Sequence, residues 1–179
     1  MKIQIFVLLS ILCVLINCQN KQVELELDKY KSMTEIEQQN LEIVRRWIEE
    51  VNVNNFEKLY EELFSKEFKH YVPSNSEPKS YEDYKEIGQH IYPAFHNLSH
   101  TIEDLIAKDN KVIARMTAKA IHGGDFYGIP PTGNKLEWSA IAIFELSDGK
   151  IIARWEEVNL NGLFQQMGME LRMQETSKD

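Results

Sequence analysis

Near residue 95 the hydrophobic pattern of this chain changes period, and that switch restricts the fold more than any other feature. Before it, apolar residues return every three or four positions: Leu41, Val44, Trp47, Ile48 and Val51 make one stripe, and Tyr84, Ile87 and Ile91 another. Such stripes are the buried faces of amphipathic helices. After it, segments 98–107, 111–122, 136–146 and 151–159 are β-rich. They flank Lys108-Asp109-Asn110 and Ser147-Asp148-Gly149-Lys150, two hairpin turns. Helices first and a meander of hairpins afterwards predict an α+β fold, with helices packed on one face of an antiparallel sheet.

Local signals divide the chain further. Thr34 is a candidate N-cap and Glu37 completes a capping box, so the first helix is expected to open there. Residues 52–55 break it, 56–64 read as a second helix, and 68–72 as a short strand. Ser80 can cap a third helix over 81–95, and 160–173 can close the domain as a short helix. Residues 123–133 form a Gly/Pro-rich connection. There Gly128 and Gly133 permit unusual dihedrals while Pro130 and Pro131 fix φ, which makes a stiff corner.

The N-terminus reads as a leader. Lys2 precedes an apolar run, 3–16, broken only by Gln4 and Ser10. As a helix it would reach roughly 21 Å, short of a ~30 Å hydrocarbon core, which favours a signal peptide over a membrane span. Leu15-Ile16-Asn17-Cys18 resembles a bacterial lipobox, in which the cysteine is lipidated and becomes the first residue of the mature protein. A plain secreted protein with an incidental cysteine is the alternative. The expected organisation is a signal peptide at 1–17, a polar tether at 18–33 and one domain at 34–173. The protein is then exported to the bacterial cell envelope and held at the membrane through the lipid alone. Cys13 leaves with the leader, so the domain has neither thiol nor disulfide, and cysteine catalysis is excluded.

With a net charge of −8 and no basic cluster, the chain is a poor match for nucleic acid, whose phosphates need Lys and Arg. His70, His90, His96 and His100 lack the spacing of a metal set, so no metal is expected.

From 94 to 168 the chain resembles the SnoaL-like polyketide cyclases, also called ester cyclases, of the nuclear-transport-factor-two-like superfamily. The segments that carry the resemblance are Ala94-Phe95-His96-Asn97-Leu98, the run 122–133 (HGGDFYGIPPTG), Asp148-Gly149-Lys150-Ile151, Trp155 and Gln165-Gln166-Met167-Gly168. It implies a curved sheet wrapped by helices into a cone around a ligand pocket. It also implies cofactor-independent acid–base chemistry on a small apolar carbonyl compound. The family's carboxylate falls four residues after the tryptophan, where this chain has Asn159, and a polar family position before the turn falls on Glu145.

Strand alternation offers Glu157 as a substitute, since Trp155, Glu157 and Asn159 share one face. If that face lines the cone, Glu157 supplies the base; otherwise it is a solvated glutamate. A two-residue Asp148-Gly149 turn would set Trp138 and Ala140 beside Trp155, whereas a three-residue loop would set Glu137, Ser139 and Glu145 there, the arrangement the resemblance favours. His122 ends a strand where it can polarise a carbonyl or bond a loop. Arg115, between apolar residues, can clamp a substrate or pair with an acidic neighbour. Trp47, Phe95 and Trp155 are candidates for pocket wall or core. Two further readings compete with catalysis. One is a binding lipoprotein that has lost the carboxylate; the other is an interaction protein that forms a homodimer through its outer sheet face.

Overall fold

The computed structural model describes residues 2–72 and 76–170, with side chains from Lys21 onward. The segment expected as a leader, 1–17, and Cys18 therefore lie outside the described side chains. Helix α1 (Lys2–Glu50) is followed by α2 (Phe56–Leu63), β1 (Phe64–Tyr71) and α3 (Tyr81–Ala94). Then come β2 (Phe95–Lys108), β3 (Lys111–His122), β4 (Lys135–Ser147), β5 (Lys150–Val158) and α4 (Leu160–Gln166). Among the described residues no helix is long and apolar enough to cross a membrane.

The switch near residue 95 falls at the α3–β2 junction, as the periodicity requires. Ser80 caps α3 in a full capping box with Asp83. Asn52 and Asn55 hold the break before α2, each donating a side-chain amide to the Glu50 carbonyl. Thr34 differs from expectation. It lies inside α1, and its hydroxyl donates back to the Tyr30 carbonyl at 2.9 Å. The segment expected as a tether is helical, with Val23, Leu25, Leu27 and Tyr30 all exposed. The reason is local: no Gly or Pro occurs before Pro73, and Glu, Leu, Lys and Gln propagate a helix readily.

The sheet runs β1-β5-β4-β3-β2. The four later strands pair antiparallel, whereas β1 joins β5 in parallel, so the sheet is mixed rather than wholly antiparallel. Inner and outer residues alternate cleanly along β3: Val112, Ala114, Met116, Ala118 and Ala120 are buried while Ile113 and Arg115 are exposed. The small side chains leave room for the helices. Trp47 of α1, Phe56 and Tyr60 of α2, and Phe64 and Phe68 of β1 form an aromatic cluster over the sheet. Tyr60 also donates a hydrogen bond to the Tyr81 carbonyl at 2.9 Å, so α2 and α3 are tied together inside the core.

Candidate functional site

The inner wall is set by one irregularity. In the final hairpin Asp148 and Gly149 both have positive φ, and Ser147 faces Lys150, a two-residue turn. Leu146 then faces Ile151, but Glu145 faces Ala153, so Ile152 is an extra residue in β5. This bulge reverses the alternation. Ile151 points inward before it; after it Arg154, Glu156 and Val158 do, opposite Phe144, Ala142 and Ala140. Parallel pairing sets His70 of β1 beside Arg154. Helix α3 adds Tyr84, Gly88 and Ile91, α1 adds Trp47 and Ile48, and Val51 follows just after α1.

These elements line a partly open cavity of about 170 Å³. Most of its wall is apolar, with Phe95, Met116, Phe126, Trp138 and Leu163 among the lining side chains. Its polar part is a cluster of Arg154, Glu156, His70, His100, Tyr84 and Tyr92. Arg154 donates to the Tyr84 hydroxyl and to the Glu156 carboxylate. The other Glu156 oxygen lies 3.6 Å from His70 Nε2, longer than a hydrogen bond. The Arg154 and Glu156 side chains are only 9% and 15% exposed. Both His70 ring nitrogens and Arg154 Nε are buried and have no hydrogen-bond partner among the described residues.

The electrostatics follow from this crowding. Burial works against the Glu156 charge, but Arg154 and then His70 outweigh it and hold the carboxyl below its usual range. Burial pushes His70 down, with Glu156 opposing, and His100 down to about 4, with the Arg154 charge adding to the effect. Burial raises Tyr84 to about 12. At neutral pH the cluster thus holds one ion pair and two neutral imidazoles. Together they provide a fixed cation, a carboxylate and nitrogens open to a proton.

The residues expected from sequence are divided between the two sides of the sheet. Trp47 and Phe95 line the cavity. Glu157 is exposed on the outer face, opposite Ile141, and cannot reach the cavity polar cluster. Trp155 is also outside, stacked on Tyr71 with centroids 4.8 Å apart. Glu145 accepts there from the Asn110 amide at 3.0 Å and pairs with Lys111. Its face is the one the three-residue loop implied, reached instead by a two-residue turn and a bulge. Arg115 is outside too, ion-paired with Asp104 at 2.6 Å. Asn159 caps α4, accepting from the Gly162 amide at 3.0 Å. His122 is inward and fully buried, but its Nδ1 meets the Thr132 hydroxyl at 3.1 Å, behind Phe95 and away from the polar cluster.

Sequence reasoning missed Arg154, Glu156, Tyr84 and the role of His70 in the cavity. The available signal was Phe68-x-His70: two residues apart on a strand, they share the buried face. The Gln166 side chain bridges to β4, accepting from the Glu137 amide at 2.8 Å and donating to the Glu137 carbonyl at 2.8 Å. That explains the Gln in the C-terminal motif as a clamp holding α4 against the sheet.

Comparison with known proteins agrees with this architecture. The family model for the SnoaL-like polyketide cyclases matches residues 42–167. Among solved structures, AclR, a candidate hydroxylase from Streptomyces galilaeus, is 26% identical with a TM-score of 0.64, over 76% of this chain and 97% of its own. TsrD from Streptomyces laurentii is 27% identical with a TM-score of 0.59, over 73% and 93%. A candidate SnoaL-like polyketide cyclase from Jannaschia sp. CCS1 shares the fold at 20% identity, with a TM-score of 0.66 over 76% and 96%. Nothing matches among the curated proteins.

Proposed function

The chain belongs to the SnoaL-like polyketide cyclase family, and we propose that it performs acid–base chemistry on a small, largely apolar carbonyl compound held in the cavity. The observation that carries this reading is the polar cluster around His70, Glu156 and Arg154 on a mostly apolar wall, in which both His70 ring nitrogens and Arg154 Nε lack a hydrogen-bond partner among the described residues. His70 takes the proton from the carbon beside the carbonyl. The electron pair of that C–H bond becomes the enolate, and Arg154 stabilises the charge developing on oxygen. Glu156, held ionised, stabilises the imidazolium while it exists. Delivery of the proton back to carbon or oxygen restores neutral His70.

The test is exchange of α-protons of phenylacetone for deuterium, followed by NMR. The protein should accelerate exchange over buffer, and His70→Asn should lower the rate by about a hundredfold with folding intact. Phenylacetone that binds without exchange would favour the second reading, a binding module. One observation favours that alternative: the residue at the family's carboxylate position, Asn159, serves as a helix cap. We also propose that Cys18 is lipidated, which the lipobox-like Leu15-Ile16-Asn17-Cys18 supports. Cys18→Ser should then move the protein out of the membrane fraction, and unchanged fractionation would end that idea.

A further inference from the structure

A chamber of about 170 Å³ is small. Apolar protein cavities of roughly 150 Å³ hold one benzene ring. We infer that this chamber takes a compact, single-ring or short-chain carbonyl compound, and that the contact between Gly88 and Phe56 sets its size limit. The inference rests on the cavity being the ligand site.

Gly88 lies in the middle of α3 and lines the cavity together with Phe56 of α2. The Phe56 ring sits directly against it, and a Cβ at position 88 would fall 2.0 Å from Phe56 Cζ. No ring can accept that, so a side chain at 88 would displace Phe56. The ring has few ways to move. Tyr92 packs on it at 4.7 Å between centroids, Tyr60 at 5.7 Å and Trp47 at 6.1 Å. The remaining space is the cavity. Glycine at 88 therefore keeps Phe56 drawn back against α3 and the chamber open. The arrangement has a local cost, because Gly propagates a helix less readily than Ala. A larger ligand would need Phe56 to retreat further, and α3 is already in contact with it.

Binding of a size series tests this without reference to turnover. Phenylacetone, 2-acetylnaphthalene and anthrone supply one, two and three rings. Fluorescence of Trp47 and Trp138, both lining the cavity, reports occupancy in a Trp155→Phe background, because Trp155 lies on the outer face. Phenylacetone should bind and anthrone should not. Gly88→Ala should weaken phenylacetone binding at least tenfold, while its helix propensity offsets part of the packing strain. Phe56→Leu, the second arm should Gly88→Ala not fold, should admit 2-acetylnaphthalene. The inference is overturned if anthrone binds as tightly as phenylacetone, if no one-ring compound binds, or if folded Gly88→Ala binds phenylacetone like the parent. Phenylacetone bound but not exchanged removes only the acid–base reading; catalysed exchange of anthrone removes only the size limit.

Discussion

Arg154 and Arg115 both sit on interior strands of one sheet beside a carboxylate, on opposite faces. Arg115 meets Asp104 at 2.6 Å with both side chains more than half exposed. Arg154 meets Glu156 with both nearly buried, against Tyr84, His70 and the ring of Phe144. Equal chemistry in unequal dielectric has unequal consequences. Water screens the outer pair, and such pairs contribute about 0–1 kcal/mol. The inner pair has given up its hydration, so either partner left alone would be an uncompensated charge. Structure alone does not make the inner pair a stabiliser, but it makes its members interdependent. The largest expected effect follows. Arg154→Met should destabilise the domain by about 3–5 kcal/mol in urea unfolding, and adding Glu156→Leu should recover much of that loss. Arg115→Ala should change stability by less than about 1 kcal/mol. Equal losses from the two arginine variants would break the contrast between the faces.

How much of this was legible in sequence depended on whether a pattern kept its phase. The change of period at residue 95, the Ser80 cap and both hairpin turns were readable, since each depends on a few adjacent residues. The inner face of β5 was not. Counting by twos from Ile151 puts Trp155 and Glu157 on the same side as that buried residue. The extra Ile152 reverses the count and brings Arg154 and Glu156 inside. No Gly or Pro marks the bulge, so period-two reasoning passed through it unaware. The parallel pairing of β1 was hidden for a different reason: it joins His70 to Arg154 across most of the domain, and no local pattern encodes such a contact. The site is assembled from this one-residue bulge and this long-range pairing.

The histidines sharpen the same comparison at a smaller scale. His100 lies inside, against Arg154 and Glu156, with a pKa lowered from 6.5 to about 4 mainly by burial. His96, on the same strand, is exposed. In the unfolded chain His100 takes a proton below about pH 6.5, whereas in the folded protein it remains neutral until about 4. Its contribution is therefore fully present above pH 6.5 and is lost as pH falls through that window, by up to about 3 kcal/mol. His70, also lowered, acts in the same direction. His100→Gln should flatten the decline in stability between pH 6.5 and 4, measured by urea unfolding across that range. A decline in His100→Gln as steep as the parent's would show that burial of His100 is not its source.

The smallest effects belong to the residues that the sequence pattern placed nearest the chemistry. Glu157 is solvated on the outer face, opposite Ile141, so Glu157→Gln removes one exposed charge and should alter stability by less than about 0.5 kcal/mol. The rate of α-proton exchange should not change, because nothing links that carboxylate to the cavity polar cluster. Asn159→Asp restores the family's residue type, yet Asn159 accepts from the Gly162 amide as a cap, and Asp caps about as well as Asn. The new carboxylate should therefore remain engaged with the start of α4, leaving exchange unaltered and stability within a few tenths of a kcal/mol of the parent, about the difference expected between two good caps. Parallel NMR exchange and urea unfolding measurements on both variants check this. A tenfold gain in exchange for Asn159→Asp would mean that the cap is released to serve the cavity, and the division between the two sides of the sheet would have to be redrawn around α4.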